Sequence, residues 1–132
     1  MNTDLLIQQI LTSTKTIAVV GISQKEDRAS YQVAKFLLDK GYTIIPVNPK
    51  YKEVLGQTCY ASLEDIPFKV DMVDCFRRSE DIMPIAKSTI EIGAKVLWMQ
   101  IGVINEEAAS LAEAAGLKVV MNRCPKVEYR DK

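Results

Sequence analysis

An α/β fold on one doubly wound parallel sheet, with helices on both faces, is the architecture this sequence predicts. Three observations carry the prediction. Short apolar runs of strand length alternate with helical patterns along the whole chain, which implies right-handed βαβ units. Glycines stand where those segments must end. Finally, 132 residues, 48% apolar and 26% charged, fill one core and not two. A single domain, 1–132, with a core of about 15–124, is expected.

Taken in order, about Thr3 to Thr12 reads as a short opening helix. Thr16 to Gly21 is a continuous apolar run ended by glycine, the pattern of a strand buried on both faces. From Ser30 to Lys40 the period becomes helical through Val33, Phe36 and Leu37, and Gly41 is placed to stop it. Thr43 to Val47 is a second strand, with Pro46 near its end. Tyr51 to Ile66 is mixed, with one helical turn over Ser62 to Asp65. Val70 to Phe76 is a third strand, made less regular by Asp71 and Asp74. Ser79 caps a helix running to Ile92, which tolerates Pro84 only near its first turn. Gly93 ends that helix, and Val96 to Ile101 is a fourth strand. Asn105 caps the helix Glu106 to Ala115, with two glutamates at its positive end. Gly116 stops it, and Lys118 to Met121 is a fifth strand.

Five strands so connected are expected in the order 3-2-1-4-5. The order then reverses between strands 1 and 4, and a ligand crevice should lie over their carboxyl ends. Functional residues are therefore sought just after Val20, Val47, Phe76, Ile101 and Met121.

Composition excludes several function classes. Lys plus Arg and Asp plus Glu number 17 each, so no overall field draws the chain to nucleic acid or an anionic membrane. No apolar stretch approaches the roughly 20 residues of a membrane span, and the start MNTDLLIQQI lacks the marks of a signal peptide. Cys59, Cys75 and Cys124 are odd in number and widely spaced, which predicts reduced thiols in a cytoplasmic protein. There is no histidine, which removes Ser-His and Cys-His catalysis, histidine-ligated metal and phosphohistidine chemistry.

The loop Gly21 to Ser30 begins like a dinucleotide fingerprint, but Ser23 and Glu26 occupy its second and third glycine positions. The second strand ends in Val47-Asn48-Pro49-Lys50, without the acidic residue that holds a ribose 2′-hydroxyl. Both marks of NAD binding are missing. What the edge loops offer is local positive charge, in Lys25, Arg28, Lys50, Arg77 and Arg78, around a helix start that favours anions. Together they point to a phosphate-rich ligand, with Phe76 and Ile101 as candidate walls against an adenine ring. Tyr31, Trp98 and Met99 read as core.

The runs Ala18 to Ser23, Arg28 to Tyr31, Pro46 to Pro49, Glu53 to Gly56, Ser62 to Pro67, Phe76 to Ser79, Trp98 to Val103 and Val120 to Cys124 resemble the small stand-alone CoA-binding proteins. Those are similar in turn to the CoA-binding domain of the succinyl-CoA ligase alpha subunit. The resemblance implies a Rossmann-like domain that binds coenzyme A or an acyl-CoA. By position it implies that Gly21, Ile22, Ser23 and Arg28 line a phosphate loop. Val47, Asn48, Pro49 and Lys50 would meet the ribose-phosphate and adenine side, and Phe76, Arg77, Gln100, Ile101 and Gly102 the rest of the crevice. The ligase also needs a second domain, a partner subunit and a phosphorylated histidine, so the resemblance carries binding without ligase activity. Two other readings stay open: an enzyme acting on a CoA thioester, with Cys124, Asp74 or Glu128 as its reactive group, or an interaction subunit with a vestigial pocket. The sequence names no catalytic residue, metal ligand or protein partner.

Overall fold

The structure, a computed structural model, describes residues 3–130. In chain order its elements are α1 (Asp4–Ser13), β1 (Thr16–Val20), α2 (Ala29–Asp39), β2 (Thr43–Val47), the hairpin strands β3 (Glu53–Val54) and β4 (Gln57–Thr58), β5 (Met72–Cys75), α3 (Ile82–Glu91), β6 (Val96–Met99), α4 (Glu106–Ala114), β7 (Lys118–Val120) and α5 (Pro125–Glu128). Single 3-10 turns occupy Leu63–Asp65 and Ser79–Asp81.

Strand alternation sorts the core into two layers. Ile17, Val19, Met72, Val96 and Trp98 face α1, α2 and α5, and there they meet Ile7, Ile10, Val33 and Leu37. Ala18, Val73, Cys75, Leu97 and Met99 face α3 and α4, against Ile82, Ala86, Ala108 and Ala112. Each fully buried aliphatic side chain contributes roughly 1.5–3 kcal/mol of transfer free energy. That contribution favours this one pleat register, since a slip by one residue would exchange the faces. Trp98 is fully buried and satisfies its polar edge by donating Nε1–H to the Arg123 carbonyl at 2.8 Å.

The parallel sheet has the predicted five strands, but their order is β2-β1-β5-β6-β7. Counting sheet strands alone, this is 2-1-3-4-5, which corrects the expected 3-2-1-4-5. The reason lies in the stretch after β2. There the chain turns through the β3–β4 hairpin and lays Tyr60 along the outer edge of β2. The Tyr60 amide donates to the Pro46 carbonyl at 3.0 Å, and the Asn48 amide donates to the Tyr60 carbonyl at 2.9 Å. With that edge taken, β5 pairs on the free side of β1. The reversal, and with it the crevice, therefore falls between β1 and β5 rather than between the first and fourth strands.

Other boundaries shift for local reasons. Ser79 does not cap a helix. Its hydroxyl accepts from the Ile104 amide at 2.9 Å and donates to the Gly102 carbonyl, and α3 starts later at Ile82. Asn105 does cap α4, accepting from the Ala108 amide at 2.9 Å. The two aspartates of the third sheet strand part company. Asp71 lies just outside β5, where its carboxylate accepts from the Lys15 and Thr16 amides at 2.9 and 3.2 Å. Burial alone would raise its pKa, but these hydrogen bonds and the nearby Lys95 together bring it below the ordinary value. Asp74 lies inside β5 and is fully buried. Among the described residues no helix is long and apolar enough to cross a membrane.

Candidate functional site

The carboxyl ends of β1, β2, β5 and β6 meet at one edge, and Gly21 is where the loops after β1 and β5 touch. Its φ is +86°, and a Cβ there would lie 2.4 Å from the Phe76 carbonyl oxygen and 2.8 Å from Arg77 Cδ. Only glycine accepts both the dihedral and the approach. The Gly21 amide donates to the Val47 carbonyl at 2.9 Å, which seats the loop on the end of β2. Asn48 adds a second tie, donating from Nδ2 to the Ile22 carbonyl at 2.9 Å while its Oδ1 accepts from the Lys50 amide.

Beyond Gly21 the loop is folded on its own hydroxyls. Ser23 accepts from the Lys25 amide, and Ser30 accepts from the Ser23 amide, each at 3.0 Å. Helix α2 then begins with Arg28 at its N-cap and no side-chain hydrogen bond to its first turn. The amide groups of that turn face the edge without a capping oxygen, where they carry the positive end of the helix dipole.

Arg77 lies across Gly21 and divides the edge into two cavities. One, of about 600 Å³, is lined by Phe76, Gln100, Ile101, Val103, Cys124 and Val127 together with Arg77. The other, of about 420 Å³, is lined by Val20, Val47, Pro49, Ser62, Leu63 and Ile85, again with Arg77. Arg78 behaves differently from its neighbour. It points to Asp81 at 3.2 Å and Glu80 at 3.7 Å, and the hydrogen bond to Asp81 with both carboxylate charges raises its pKa. Among the described residues no carboxylate pairs with Arg77, Arg28, Lys25 or Lys50.

The structure thus brings most of the sequence-selected residues to one edge. Phe76, Arg77, Gln100 and Ile101 share the larger cavity, while Val47 and Pro49 share the smaller. Ser23, Arg28 and Lys50 line neither cavity; Ser23 is half-buried and Arg28 and Lys50 are exposed in the loops after β1 and β2. Ile22 is fully buried in the α1–α2 layer, so only its backbone belongs to the loop. Gly102 lines neither cavity; its amide donates to Asn122 Oδ1 at 2.7 Å and holds the loop after β6 in place. The lining residues missed include Val103, Cys124 and Val127 on one side, Ser62, Leu63 and Ile85 on the other, and the acidic Asp81, which lines both, with Glu64 and Glu80 in the smaller. Cys124 was visible as a residue just past the last strand, whereas Val127 reaches the cavity through α5, whose four residues gave no periodicity.

Two buried polar groups in this region have no hydrogen-bond partner among the described residues: the Asp74 carboxyl and Gln100 Oε1. Burial pushes Asp74 well above the carboxylate range, which favours the neutral acid. Burial and the adjacent Asp74 push the Cys75 thiol up as well.

A family model described as a CoA binding domain matches residues 15–130. The Bacillus subtilis protein YneT is 44% identical over 123 residues, covering 93% of this chain and 91% of YneT. A solved structure, a hypothetical protein from Pyrococcus horikoshii, is 47% identical with a TM-score of 0.93 and covers 96% of this chain and 89% of that one. An ADP-forming acetate–CoA ligase of Archaeoglobus fulgidus is 29% identical over 124 residues, which span 83% of this chain but 18% of the ligase.

Proposed function

The chain belongs to the CoA-binding domain family, and from that premise we propose that it binds coenzyme A or an acyl-CoA at the β1–β5 edge, without ligase activity of its own. The observation that carries this reading is Arg77: a cation without an ion-pair partner among the described residues, lying over Gly21 between two cavities. CoA has the matching layout, a pyrophosphate between an adenosine and an apolar pantetheine arm. The pyrophosphate meets Arg77, the backbone amides after Gly21 and the uncapped start of α2. Arg28 and Lys50, exposed in the loops after β1 and β2, serve the 3′-phosphate, and the adenosine lies toward Val47, Asn48 and Pro49. Phe76 and Ile101 then flank the pantetheine arm rather than the adenine ring. The chain has no histidine to carry phosphate, and the ligase it resembles is a far longer protein.

The test is ligand discrimination. At about 100 times its dissociation constant, CoA should add roughly 2.7 kcal/mol to stability. In a thermal-shift series at matched concentrations, CoA should therefore outrank NAD and NADP. Equal or larger shifts with NAD would overturn the assignment.

A further inference from the structure

The larger cavity holds more than apolar wall. Cys124, 7% exposed, lines it, as does Arg77. By strand alternation Gln100 projects to the same face of the sheet as Val96 and Trp98, toward α2 and α5, and it too lines this cavity. Gln100 is also 7% exposed, and its Oε1 has no donor among the described residues. A buried carboxamide oxygen left without a donor is costly, and an amide N–H entering the cavity relieves that cost. The pantetheine arm carries amide N–H groups and ends in a thiol. A chain of that chemistry, anchored by phosphate at Arg77 and entering past Gln100, delivers its sulfur to the Cys124 side.

Resting on the reading above, we propose that Cys124 is a thiolation site, captured by the disulfide form of CoA through exchange inside this cavity. The Cys124 thiol first loses its proton to solvent. Its sulfur then attacks one sulfur of CoA disulfide, the protein–CoA S–S bond forms, and the S–S bond of the reagent breaks. The second CoA leaves as a thiolate and takes up a proton. The disulfide is the oxidant, so no other is needed.

The setting of Cys124 also says where its selectivity comes from. The Arg123 guanidinium is turned to Glu128 at 3.3 Å, and Lys126 Nζ sits 5.7 Å from the centre of the Phe36 ring. Neighbouring cations are thus engaged elsewhere, and the rate advantage comes from holding two sulfurs together. Cys75 is fully buried, Cys59 just after β4 is 8% exposed, and neither lines either cavity.

The experiment treats the reduced protein with CoA disulfide and, separately, with glutathione disulfide at equal concentration, followed by intact mass and peptide mapping. We expect one CoA per chain, on Cys124, released by dithiothreitol and formed more than about tenfold faster than the glutathione adduct. Adenosine 3′,5′-bisphosphate should slow it by occupying the nucleotide end. Cys124→Ser should form no CoA adduct under the same treatment. Equal rates with the two disulfides, or an adduct on Cys59 or Cys75, would overturn the proposal. So would the absence of any adduct in protein that binds reduced CoA. If reduced CoA itself fails to bind the parent protein, the binding function falls first and this inference with it.

Discussion

Arg77 and Lys50 carry charge at the edge loops without an ion-pair partner among the described residues, so neither is tied into the empty fold by a salt bridge. Arg77→Ala and Lys50→Ala should each weaken CoA binding about tenfold or more, the loss of one charge-assisted hydrogen bond. Their melting temperatures without ligand should stay near the parent's. Lys87→Ala, on the exposed face of α3, is the control and should change neither. Parent-like titration curves for both edge variants would leave the phosphate to backbone donors alone. Asp74 makes the opposite kind of prediction, about stability. Its folded pKa lies well above the ordinary 3.8. Below pH 3.8 both states are protonated and the site adds no pH dependence. Above it the unfolded carboxyl ionises while the buried one does not, so the penalty grows with pH until the folded pKa is passed, by up to about 1.4 kcal/mol per unit. Asp74→Asn should therefore gain on the parent as pH rises above the ordinary 3.8 in urea denaturation, and parallel pH curves would refute this. At this scale the sequence showed Gly21, the basic loop residues and the capping role of Asn105. The burial of Ile22 and the unpartnered Gln100 oxygen depend on packing between elements, which single residue types do not announce.

Helix α2 shows how an element can be left less stable than it could be. Most N-caps are Ser, Thr, Asp or Asn, because their oxygen satisfies a first-turn amide. Here Thr3 does so for α1 and Asn105 for α4, while Arg28 does not for α2. Arg28→Ser should stabilise the empty protein by about 1 kcal/mol and at the same time weaken CoA, since the new hydroxyl competes for amides the phosphate needs and a cation is lost. Chemical denaturation and calorimetry read the two effects, and a variant that binds CoA as the parent does would disprove the assigned role. The long helices and the sheet strands were legible because apolar period and length separate them. The hairpin was not. Its two-residue turn has positive φ at both Leu55 and Gly56, a conformation that leucine disguises. Missing it also cost the strand order, since nothing local to β2 tells that Tyr60 will occupy its outer edge.

For the molecule as a whole, 17 basic and 17 acidic residues give no net charge, yet at the edge Lys25, Arg28, Lys50 and Arg77 have no ion-pair partner among the described residues, although Asp81 lines both cavities. CoA binding should therefore weaken as ionic strength rises, despite a neutral protein, because the screened field is that of the edge. Affinity independent of salt would show the cations to be bystanders. The covering of β2 by Tyr60 also bears on how copies of the chain meet. A parallel sheet has two lateral borders, and each is a template on which another polypeptide can add a strand. One border here is covered at its carboxyl end by the chain itself, through Tyr60 on Pro46 and Asn48. The other is β7, three residues long and opened by an exposed lysine, Lys118. Such a border offers an incoming strand few hydrogen bonds and a charge to bury, which sets the sheet against growth by fibril-like stacking even in concentrated solution.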